Sequence, residues 1–178
     1  MNKRGTDKIL SIYWFAILVL IAGGIFAMVY SFYGTPYDVR EIESYLLANR
    51  VADCISKGGR IDSSFFNGEE FNSEIQKTLL KECNLNFNVE EGYGSEAPQY
   101  FFEVNFYKVE DLSNSAFYLY AGNMNLGADC SIQKESKKNY EKLSKCVERR
   151  LYALDSSNNQ YLIKIVSGVS KSEKNVKL

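Results

Sequence analysis

From Ile9 to Tyr33 the chain runs for 25 residues without a charged side chain. As a helix rising about 1.5 Å per residue, that stretch reaches roughly 37 Å, more than the ~30 Å hydrocarbon core of a bilayer. A cleaved secretory signal has a shorter apolar region, about 7–15 residues, followed by small residues at the cut. Ala22-Gly23-Gly24 imitates such a cut, yet the apolar run continues through Ile25, Phe26, Met28 and Val29. The segment 9–33 is therefore expected to be a transmembrane helix in contact with membrane lipid.

Charge gives that helix an expected direction. Lys3, Arg4 and Lys8 precede it, whereas Asp38, Glu41 and Glu43 are among the first charges after it. The positive-inside rule then keeps residues 1–8 in the cytoplasm and places the rest outside the cell membrane. Tyr13 and Trp14 near one end, with Tyr30 and Tyr33 near the other, match interfacial aromatic belts. Within the span, Gly23, Ala27 and Ser31 recur every fourth residue. Such a stripe lets a second helix approach closely.

Outside the span remain roughly 145 residues, enough for one domain with its own core. The chain has 178 residues and a formal charge of −1, of which the first eight carry +2 and the remainder −3. A near-neutral, slightly acidic domain is no generic nucleic-acid surface, so no such partner is expected. Histidine is absent, which removes imidazole zinc sites, Ser-His-Asp triads and Cys-His dyads. Cys54, Cys83, Cys130 and Cys146 all follow the span, and none lies in a C-x-x-C pair. That placement fits disulfides in an oxidising space better than a zinc cage. Three connectivities are open; the local pairs Cys54–Cys83 and Cys130–Cys146 are favoured, each contributing roughly 2–4 kcal/mol.

Past Gly34-Thr35-Pro36, a helical pattern runs from about Tyr37 to Ser56. Its apolar stripe is expected to begin at Val39, Ile42 and Leu46 and to continue through Leu47, Val51 and Cys54/Ile55. Phe71, Ile75, Leu79 and Cys83 then repeat every four residues, which predicts a short helix. From Leu85 the period becomes two. Leu85, Phe87 and Val89 alternate with asparagines, and "YFFEVNFYKV", "AFYLYAG", "CVERRLYAL" and "QYLIKIVSGV" read as strands. The last two flank the turn-forming Asp155-Ser156-Ser157-Asn158-Asn159, which predicts an antiparallel hairpin. "GNMNLG", from Gly122 to Gly127, reads as a turn, and the charged segment from Ser131 to Lys145 as a solvated helix or loop. The fold class is α+β: a transmembrane helix, then a disulfide-bonded domain over 37–170 in which an amphipathic helix packs on a mostly antiparallel sheet of about four or five strands. A flexible polar tail over 171–178 is expected to follow.

A basic segment ending in Lys3-Arg4-Gly5, an apolar helix, an amphipathic continuation and a sheet with cysteines resemble the type IV pilin-like proteins, archaeal ones most closely. The likeness covers the plan of the chain and is motif-level only near its N-terminus. It implies that a prepilin peptidase cuts after Gly5, so that residues 1–5 are a leader and Thr6 begins the mature chain. It also implies that the apolar helix bundles with copies of itself or with other pilin-like subunits in a surface filament. Two positions depart from the pattern. Leu10 stands where bacterial pilins carry a glutamate, with Asp7 the nearest acid, and Lys8 follows the cut.

No constellation for catalysis emerges. The pairs Glu69-Glu70, Glu90-Glu91 and Glu110-Asp111 are sequence neighbours whose side chains diverge on any regular element. The segment 90–96, "EEGYGSE", joins three carboxylates to two glycines but lacks a recognised calcium-loop spacing. The aromatic density of residues 100–120 is read as the core and flank of a sheet in preference to a sugar platform. The expected function is structural, a pilin-like membrane-anchored subunit, with no enzyme activity, cofactor or metal. The alternative is a single-pass anchored binding domain that does not polymerise.

Overall fold

In a computed structural model, the structure describes residues 3–34, 37–67, 70–87, 99–136, 143–171 and 176–177. The chain divides into two compact units, residues 1–37 with 177–178, and Asp38–Val176.

The first unit is built on α1 (Lys3–Tyr33), 31 residues of unbroken helix. At about 1.5 Å per residue it is about 46 Å long. Ile12–Tyr33 is long and apolar enough to cross a membrane, and none of it is buried.

The second unit is α+β. After the two-residue strand β1 (Tyr37–Asp38), helix α2 (Arg40–Ile55) leads to β2 (Ser56–Lys57) and β3 (Arg60–Ile61). A short pair, β4 (Phe66–Asn67) and β5 (Glu70–Phe71), precedes α3 (Ile75–Glu82). Four long strands follow: β6 (Tyr100–Lys108) and β7 (Asp111–Gly122), then, beyond α4 (Met124–Ser136), β8 (Lys145–Leu154) and β9 (Gln160–Val169). A last short strand, β10 (Val176–Lys177), lies in the tail. The main sheet has six strands in the order β2-β3-β8-β9-β6-β7. Its long strands pair antiparallel, whereas β3 runs parallel to β8.

Alternation decides which face is buried. Phe102, Val104 and Phe106 of β6, with Ile163 and Ile165 of β9 and Leu119 of β7, are fully buried. Helix α2 packs over β8 and β9, and α3 against β7. The β8–β9 turn is held by Asp155, whose Oδ1 accepts the Ser157 and Asn159 N–H groups, both at 2.8 Å. Both favoured disulfides are present. Cys54–Cys83 ties the end of α2 to the end of α3, and Cys130–Cys146 ties α4 to β8.

Several local expectations need correction. On α2, Ile42 and Leu46 are exposed, at 61% and 60%, and the buried face comprises Arg40, Ser44, Leu47, Ala48, Val51, Ala52 and Ile55. The stripe is rotated because two polar residues, Arg40 and Ser44, find partners inside and claim the buried side. Residues 85–87 form no strand; Phe87 instead packs its ring against Tyr100 and Phe102, and Val89 lies outside the described residues. The stretch Gly122–Gly127 is a turn only at its start. Asn123 Oδ1 accepts the Asn125 N–H at 3.1 Å, and α4 begins at Met124. The main sheet is also wider than expected, because it gains β2 and β3, which are too short to show a period. In the tail, β10 pairs with β1 in a two-stranded sheet.

Helix α4 lies close to the sheet. A Cβ at Gly127 would stand 2.8 Å from the Phe101 ring, and one at Gly168 3.0 Å from Cys130 Sγ. The glycines admit the helix, and the disulfide holds it over Phe101. Ser144, bonded through N–H and Oγ to Asp129 Oδ2 at 3.2 and 3.1 Å, closes the same seam.

Candidate functional surfaces

Among the described residues, no group of three or more His, Cys, Asp or Glu side chains is placed to hold a metal ion. The segment 90–96 lies outside the described residues; among the described residues, two surfaces are candidates for binding. One is the exposed apolar helix. The other, on the second unit, is the outer face of the sheet.

The helix carries the small-residue stripe. Nothing stands within 4 Å of a Cβ built at Gly23, and Ala27 and Ser31 are exposed one and two turns on. Around them Leu20, Phe26, Met28 and Tyr30 are exposed too. Gly5 and Thr6 fall within the helical backbone of α1.

The outer face of the sheet is built by register. Tyr120, Glu103, Val166 and Glu148 form one row across β7, β6, β9 and β8. Tyr118, Asn105, Lys164 and Arg150 form the next. Glu148 is the hub, with Lys134 Nζ of α4 at 3.0 Å, Lys164 Nζ at 3.6 Å and Arg150 Nε at 2.7 Å. Burial works to raise its carboxyl, but hydrogen bonds from Lys134 and Arg150 and the charge of Lys164 hold it below the usual range. At the edge, Tyr118 and Tyr120 stack with centroids 5.6 Å apart. Burial, with the Glu103 carboxylate 3.4 Å from its hydroxyl, pushes the Tyr118 phenol up to about 12. Between α4 and this face runs a groove of about 730 Å³.

The edge strand β7 is itself guarded. The Gln76 side chain accepts the Tyr120 N–H at 3.2 Å and donates to its carbonyl at 2.6 Å, as a neighbouring strand would. Register shifts near Tyr107 disrupt the far end of the ladder.

Sequence reasoning missed a buried ion pair at the α2 seam. Arg40, 1% exposed, donates Nε and Nη2 to the two Asp38 oxygens at 2.9 and 2.7 Å. Its Nη1 reaches the Leu143 carbonyl at 2.8 Å. The hydrogen bonds from Arg40 hold the Asp38 carboxyl below its ordinary value. The available signal was an Asp two residues before the helix start, close to the capping position.

No family model, curated protein or solved structure matches the chain.

Proposed function

We propose that the chain is a pilin-like, membrane-anchored cell-surface subunit that assembles through α1. The observation that carries this reading is the apolar span Ile12–Tyr33, wholly unburied and followed by a disulfide-bonded α+β unit. An apolar helix of that length is at home in lipid or in a bundle of its own kind. In this reading the N-terminus is cytoplasmic, a prepilin peptidase removes residues 1–5, and the mature helix, starting at Thr6, packs along Gly23, Ala27 and Ser31. Copies of the same chain or related subunits are its partners.

Lateral packing is testable in vesicles. Leucine at both Gly23 and Ala27 is expected to weaken energy transfer between labelled copies, by about 1 kcal/mol or roughly fivefold in association. Unchanged transfer would remove the stripe from the reading. A second reading, an anchored binding domain that does not polymerise, draws on the outer-face groove. It predicts an uncleaved N-terminus together with the absence of filaments.

A further inference from the structure

We propose that the groove under α4, with the Tyr118–Tyr120 pair beside its lining residue Glu103, is a binding site for a neutral oligosaccharide. The row from Tyr120 to Glu148 crosses three strand spacings of about 4.8 Å, so a ligand has about 14 Å of continuous surface. The groove volume, about 730 Å³, lies in the range of ligand sites. Its charges balance. Glu103, Glu135 and Glu148 of the lining face Lys134 and Lys164, with Arg150 of the next row bonded to Glu148, so the surface favours neither a polyanion nor a polycation. A ligand dense in hydroxyls suits such a mixture, because each hydroxyl both donates to a carboxylate and accepts from an ammonium.

The polar groups are also fixed beforehand. Glu148 is held by Lys134 and Lys164 from two elements, so binding orders few additional side chains. The two tyrosine rings, 40% and 39% exposed, add an aromatic wall beside Glu103. Aromatic rings with a polar tip suit ligands that present both C–H and O–H groups. The site needs only the folded domain, and stands whether or not the chain polymerises.

The test uses the full chain in micelles of a zwitterionic, sugar-free detergent, titrated with maltohexaose, cellohexaose, chitohexaose and mannohexaose. At least one is expected to bind saturably with a Kd below about 1 mM, and paired Tyr118→Ala and Tyr120→Ala substitutions to weaken it about tenfold. Lys134→Met, on an exposed side chain, is the second variant and should weaken the same ligand. Tyr45→Ala, on exposed α2 surface, should leave it unchanged. No saturable binding by any of the four, or a Kd indifferent to both groove variants, would overturn the proposal.

Discussion

Replacing Cys54 and Cys83 by alanine is expected to lower the stability of the folded domain by about 3–4 kcal/mol, from loop-closure entropy alone. The bridge spans 29 residues of sequence and joins the ends of α2 and α3. The corresponding loss at Cys130–Cys146, separated by 16 residues, is about 3 kcal/mol. The two losses have different structural consequences. Cys83 belongs to the main core with Val51, Ile55 and Leu79, so its loss loosens that core as a whole. Cutting Cys130–Cys146 releases α4 from Phe101, which is fully buried. Guanidinium unfolding of the full chain in micelles measures both losses. Faster amide exchange confined to α4 and the adjacent end of β6 is expected only for the second.

The Arg40–Asp38 pair gives the next largest effect. Asp38→Asn leaves a buried guanidinium without its counter-charge and is expected to cost about 2–3 kcal/mol. That is below the ~3–5 kcal/mol of a fully buried pair, because Asp38 is 34% exposed. Arg40→Met should cost less, since its main consequence is an unpaired Leu143 carbonyl, worth about 1–3 kcal/mol. The Asp38 carboxyl is depressed in the folded state, so the pair's contribution is complete above the unfolded value, near ~4. It is lost as the pH falls through the lower folded value. An acid titration of stability should therefore be shallower in Asp38→Asn than in the parent chain. Equal slopes would contradict the pairing.

Much of the fold was legible because its signals are local. The uncharged run marks α1, strict alternation marks β6 and β9, and the Asp155–Asn159 stretch marks the turn between β8 and β9. The face of α2 was not legible. Its buried side includes Arg40 and Ser44, whose partners, Leu143 and Ser167, are distant in sequence. The start of α4 was hidden by two glycines. They read as a turn, but Gly127 serves close packing against Phe101. The outer-face rows were hidden for a third reason. Alternation puts Glu103, Glu148 and Lys164 on outward positions, but only long-range pairing of β6 and β8 with β9 brings them together.

Pilin-like processing is tested most directly by the intact mass of the chain recovered from its native membrane. A processed subunit has a mature chain that begins at Thr6 and retains all residues through the apolar helix. A mass that still includes Met1 to Gly5 would contradict processing, and with it the assembly reading.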